Sequence, residues 1–172
     1  DIALMIKSKD PHHPVITVTA GLDVAEVKLI QKYAPAIDLL GINTYGGLGF
    51  TLESLPYYGW NKPYIITEWG PNGHWESPTT DWGIPIEQTS TEKANSYRER
   101  YEMIFADSNN CFGSYVFLWG HKQETTSSWY GLFLEDGTQT SVMDVLIEKW
   151  SAVKPKNLAP DINSFTINCI FF

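Results

Sequence analysis

The sequence predicts an α/β fold of parallel βαβ units, and three observations carry that expectation. Short apolar runs rich in β-branched and aromatic residues recur at the length of buried strands. Stretches with three- and four-residue apolar spacing lie between them, and Pro or Gly marks most of the junctions. Strand and helix thus alternate four times after an initial helix end, the order expected of parallel strands joined by right-handed crossovers.

Ile2, Met5 and Ile6 are the apolar positions of a helix end over residues 1–9, closed off by Pro11 and Pro14. A β-branched run from Val15 to Thr19 follows as a strand. Asp23 caps a helix with Val24, Val27, Ile30 and Ala34 on its apolar side, stopped by Pro35. The next strand runs from Ile37 to Tyr45 and is ended by Gly46-Gly47. A short helix near Leu52 to Tyr58 precedes a strand from Pro63 to Glu68. Residues 71–88 form a loop rich in Pro, Gly, Thr and Trp, and a loop of that length and aromatic content points to function. Thr89 and Glu92 have capping-box spacing ahead of a helix with Ala94, Tyr97, Tyr101, Ile104 and Phe105 on one stripe. Gly113 to Trp119 reads as the fourth strand. A second loop carries Gln123, Glu124, Trp129 and Tyr130, and a last helix spans about Ser141 to Trp150. Residues 151–162 read as a linker, and Ser164 to Ile167 as the possible first strand of a following β domain. Both ends read as cut from a longer chain.

Composition narrows the function. Twenty acidic against twelve basic residues give a net charge of −8, which repels nucleic acid and anionic membrane surfaces. Aromatic residues make up 14% of the 172, and flat rings with polar tips suit sugars, whose C–H faces stack while their hydroxyls hydrogen-bond. Cys111 and Cys169 form neither a disulfide framework nor a zinc site, and no His and carboxylate set has metal-ligand spacing, so no metal and no cofactor is expected. No apolar run reaches the ~20 residues of a membrane span.

Chemistry is expected at the C-terminal ends of the strands, where parallel α/β sheets and barrels bind ligands. A Glu closing an apolar strand, as in Ile65-Ile66-Thr67-Glu68-Trp69-Gly70, is costly to bury without partners, which marks Glu68 as either a paired structural carboxylate or a catalytic one. Strict alternation places Tyr64, Ile66 and Glu68 on one face, Asn43 and Tyr45 together on the preceding strand, and Tyr115, Phe117 and Trp119 together on the following one. Tyr45 then donates to the Glu68 carboxylate and orients it. Asn43, Trp119, Trp75 of the first loop and Trp129 of the second are the expected substrate-binding residues.

Asp10-Pro11-His12-His13-Pro14, the run Ile37 to Tyr45, Thr67-Glu68-Trp69-Gly70 and the run Gly113 to Gly120, taken in that order, resemble the later half of the (β/α)8 barrel of retaining glycoside hydrolases, family 2 in particular. The resemblance covers residues 1–150. It implies a partial (β/α)8 TIM barrel, strands five to eight with their helices, with 151–172 as linker and start of a β domain. It further implies that Glu68 is the nucleophile, Tyr45 the tyrosine that contacts it and Trp119 the tryptophan under the sugar, with Asn43 a weaker match. The partners so implied are a carbohydrate and the N-terminal half of the barrel, and the substrate class suggests an extracellular or periplasmic setting.

One departure stands out. The family's acid/base Glu follows Asn at the end of the fourth strand, and this sequence has no Asn-Glu dipeptide. Retaining hydrolysis uses two carboxyl groups about 5 to 5.5 Å apart. Glu76 and Glu124 sit in loops that could approach the site, with nothing in their setting to assign them that role. A carbohydrate-binding pseudoenzyme and a glucan transglycosylase are the alternative readings, and an inner face and strand edges without their covering half make weak stability or self-association the expectation for this span alone.

Overall fold

The computed structural model describes residues 2–160. The chain runs α1 (Ile2–Lys9), β1 (Ile16–Ala20), α2 (Val24–Tyr33), β2 (Leu39–Asn43), α3 (Leu48–Tyr58), β3 (Tyr64–Trp69), α4 (Ser90–Ala106), β4 (Cys111–Val116) and α5 (Ser141–Ser151). The four strands form one parallel sheet in the order β1-β2-β3-β4. A parallel sheet alternating with helices in this way is the architecture of part of a (β/α) barrel.

Local chemistry explains the helix starts. Asp23 and Glu26 form a reciprocal capping box at α2, as do Thr89 and Glu92 at α4. Each box satisfies backbone N–H groups that the first turn leaves without partners. Asp38, ahead of β2, accepts from the Val15 N–H at 2.7 Å and pairs with Lys7, so α1 and the entry to β1 are tied to the second strand.

The sheet buries one face only. Leu40 pairs with Tyr64 and Ile42 with Ile66, and all four are buried together with Val27, Leu48, Tyr97, Ile104 and Leu146 of the helices. The other face carries Val18, Gly41 and Thr67; a methyl group on Gly41 would lie 2.8 Å from Val18 Cγ2 and 2.9 Å from Thr67 Cγ2. Val18 is half exposed there.

This corrects the strict alternation expected for β3. Tyr64 and Ile66 point to the helices, whereas Asn43 pairs with Glu68 on the open face. The ladder accounts for the change: Ile42 pairs with Ile66 and Asn43 with Glu68, so Thr67 is an extra residue. The register with β4 shows the same insertion, from Ile66 opposite Ser114 to Trp69 opposite Val116. A β-bulge re-aims the side chains that follow it. Thr67 and Glu68 consequently both face the open side, and Trp69 returns to the core against Tyr97, 5.2 Å between ring centroids. A second irregularity lies in β4, where Gly113 adopts φ +146°, a conformation open to glycine.

The fourth strand also starts and stops earlier than expected, at Cys111 and Val116 rather than Gly113 and Trp119. Residues 117–120 instead turn and bond to the second loop, through Leu118 N–H to Tyr130 O and Leu132 N–H to Leu118 O. Residues 152–160 form neither helix nor strand, and the Ala159 N–H donates to Asp144 of α5 at 2.6 Å. The strand expected over 164–167 and Cys169 lie outside the described residues.

Candidate active site

A cleft of about 570 Å³ opens at the C-terminal ends of the strands. Each strand delivers its residues by position. Ala20 closes β1 with Gly21 just beyond, Asn43 closes β2 with Tyr45 two residues beyond, Glu68 is the penultimate residue of β3, and Phe117 follows β4. Trp75 and Glu76 from the first loop and Lys122, Glu124 and Tyr130 from the second complete the wall.

Tyr45 and Glu68 meet in this cleft. The Tyr45 hydroxyl donates to Glu68 Oε2 at 2.8 Å. Burial first, and then the adjoining carboxylate, raise the Tyr45 phenol well above its ordinary range, so it is a proton donor at any working pH. Its ring is held edge-on by three others: Trp75 at 5.5 Å, Tyr130 at 5.7 Å and Phe117 at 6.1 Å. Such edge-to-face contacts add about 0.5 to 1.5 kcal/mol beyond burial and fix the ring plane. Asn43 is fixed as well, since its Oδ1 accepts from the Thr67 hydroxyl at 2.7 Å, which leaves the amide NH₂ as its donor toward the cleft.

The expected tryptophans divide. Trp75 lines the cleft and is 60% exposed. Trp119 does not: it packs on Phe133 at 5.1 Å, in a separate hollow with Tyr115 and Trp150, and is 67% exposed. The reason is that β4 ends at Val116, so the two-residue period that was to carry Trp119 inward stops before reaching it. Phe117 fills the aromatic place in the cleft. Trp129 is only 1% exposed, with its indole N–H given to Asn72 O at 2.9 Å, so it braces the loop behind Tyr130 and offers no face to a ligand. Leu118 packs with Tyr45, Trp129 and Tyr130. Tyr130, whose hydroxyl accepts from the His74 N–H at 3.2 Å, sits in a loop with no periodicity that could have placed it.

Two further carboxylates share the cleft. Glu124 lies 2.5 Å from Lys122 Nζ and 3.7 Å from His74 Nε2. Glu76 is engaged by backbone N–H groups of Gly46, Gly47 and Gly73. Among the described residues no group of His, Cys, Asp and Glu is arranged to hold a metal ion, and no helix is long and apolar enough to cross a membrane.

The chain matches no protein-family model and no curated protein. It does resemble solved structures. A family 128 (subgroup VI) exo-β-1,3-glucanase from Aureobasidium namibiae is 16% identical over 91% of this chain and 59% of its own, with a TM-score of 0.56. A family 39 β-xylosidase from Caulobacter crescentus is 16% identical over 91% of this chain and 36% of its own, with a TM-score of 0.61. A β-glucuronidase from Bacteroides uniformis is 15% identical over 87% and 19%, with a TM-score of 0.62. At these identities the likeness is one of fold, that of a partial (β/α) barrel. The chain spans between 19% and 59% of the lengths of these three proteins.

Proposed function

We propose that this chain forms the C-terminal half of the (β/α)8 barrel of a retaining β-glycoside hydrolase of the family 2 type. In this reading β1 to β4 are the fifth to eighth barrel strands, and residues 151–172 lead into a β domain. The observation that carries it is the Tyr45 to Glu68 hydrogen bond at the C-terminal strand ends, facing an open aromatic cleft. A carboxylate there, held by a donor that stays protonated, is built as a nucleophile.

The chemistry follows from the charges. Glu68 attacks the anomeric carbon as the glycosidic C–O bond breaks, and an acid/base carboxyl from the preceding half of the barrel gives its proton to the departing oxygen. The same group then takes a proton from water, which attacks the anomeric carbon and releases Glu68. Tyr45 holds the carboxylate in line, the Asn43 amide donates to a sugar hydroxyl and Trp75 presents its exposed ring to the sugar's C–H face. The substrate is a β-linked glycoside or polysaccharide.

Product stereochemistry tests this reading. Proton NMR of the first-formed product of the full-length protein should show the β-anomer before mutarotation. An α-anomer as the first product would exclude a glycosyl intermediate on Glu68.

A further inference from the structure

Glu76 is in the cleft without belonging to any strand. Its Oε2 accepts from the N–H groups of Gly46 at 2.7 Å and Gly73 at 2.8 Å, and its Oε1 accepts from Gly47 at 3.1 Å. A carboxylate is an acceptor only, and three backbone donors suit it as an anchor rather than as a free acid.

The positions of those donors matter. Gly46 is the residue after Tyr45, and Gly47 is the N-cap of α3, which makes no capping bond with a side chain of its own. The carboxylate therefore closes the start of that helix from a distant loop and fixes the backbone as it leaves Tyr45. Gly73 belongs to the loop that continues from Glu68. The same loop is held from behind by Arg100 of α4, which donates to Gly70 O and Asn72 Oδ1. The neighbour of Glu76, Trp75, is one of the three rings that meet Tyr45 edge-on. Glu76 thus clasps the turn that carries the tyrosine to the loop that leaves the carboxylate.

From this geometry we infer that Glu76 is a positioning residue: it sets the Tyr45 hydroxyl on Glu68 and acts on the reaction through Tyr45. The inference rests on the reading of Glu68 as nucleophile. It also gives Glu76 a role other than that of acid/base.

A double-mutant cycle in the full-length protein tests it. The readout is the rate of covalent inactivation by β-configured fluorosugars with a dinitrophenolate leaving group, drawn from the gluco, xylo and galacto series. Such a leaving group needs no protonation, so the rate reports on the nucleophile. Tyr45→Phe should slow inactivation about 10- to 100-fold and Glu76→Gln about 10-fold. The double variant should be no slower than Tyr45→Phe by more than about twofold, because residues acting as one unit are non-additive. Gly46→Ala approaches the contact from its other side, since the added methyl would lie 2.8 Å from Glu76 Oε2 and must displace it. It should show the same coupling to Tyr45, and it decides the matter if Glu76→Gln fails to give a wild-type thermal transition. Losses that multiply, or a wild-type rate in Glu76→Gln, would overturn the inference. A label mapped in the wild type to a carboxylate other than Glu68 would instead remove the nucleophile reading itself.

Discussion

The Tyr45 hydroxyl and Glu68 Oε2 are joined by a 2.8 Å hydrogen bond that spans from the turn after β2 to the end of β3. Three aromatic rings leave the phenol little freedom to point elsewhere. Tyr45→Phe keeps the ring and its packing and removes only the donor. A hydrogen bond to a charged group is worth about 1.5 to 3 kcal/mol. The variant should fold normally and lose about 10- to 100-fold in kcat/KM, measured on aryl β-glycosides with the full-length protein.

A second prediction concerns the ion pair that ties the two loops of the cleft to α4. Lys93 is buried and holds both Glu87 and Ser128 O, while Glu87 also accepts from the Thr126 and Ser128 hydroxyls. Burial raises the Glu87 carboxyl, but the bonds from Lys93, Thr126 and Ser128 outweigh it and leave the group below its usual value. Lys93→Met strands that carboxylate and should cost about 3 kcal/mol, read as a lower urea midpoint. Because the folded state lowers the Glu87 pKa, its contribution is present above the ordinary value of 4.5 and is lost as pH falls below it. The wild type should therefore lose stability on acidification there, and a Glu87→Gln variant should lose less over the same window.

Much of the fold was legible because it depends on local signals. The capping boxes at Asp23 and Thr89 and the apolar spacing of the helices name their elements without help from tertiary structure. The facing of Glu68 was legible only in part. Strict alternation put it inward together with Ile66, and the structure puts Ile66 in the core and Glu68 in the cleft because a bulge at Thr67 intervenes. No residue type at Thr67 announces an inserted residue; the register of the neighbouring strands decides it. Trp119 failed for a related reason. A strand's end is set by where its partner stops bonding, and β4 stops at Val116. Glu76 and Tyr130 lie in loops, where no period exists to say what a side chain faces.

The buried tyrosines give an alkaline prediction. Burial raises Tyr45, Tyr64, Tyr97 and Tyr130 above the ordinary phenol value of 10.0. A group whose folded pKa is raised stabilises fully below its unfolded value, and that stability is lost as pH rises past it. Thermal stability should hold up to about pH 10 and decline above it. Ultraviolet titration should show Tyr45, Tyr64 and Tyr97, three of the nine tyrosines, ionising only as the protein unfolds.

Trp75 and Trp119, both exposed, separate in a binding experiment. Trp75→Ala removes a cleft wall and should raise KM several-fold, whereas Trp119→Ala, on the far side of Phe133, should leave KM within about twofold. Equal effects from both would place the sugar outside the cleft drawn by Tyr45 and Glu68.

The most direct measurement of the central claim is the site of covalent labelling. The full-length protein is inactivated with a β-configured fluorosugar carrying a dinitrophenolate leaving group, digested, and the adduct is mapped by peptide mass spectrometry. A Glu68 nucleophile places the sugar on the peptide containing Thr67-Glu68-Trp69, as an ester of Glu68, and Glu68→Gln takes up no label. An adduct on any other carboxylate, Glu76 and Glu124 included, contradicts the account.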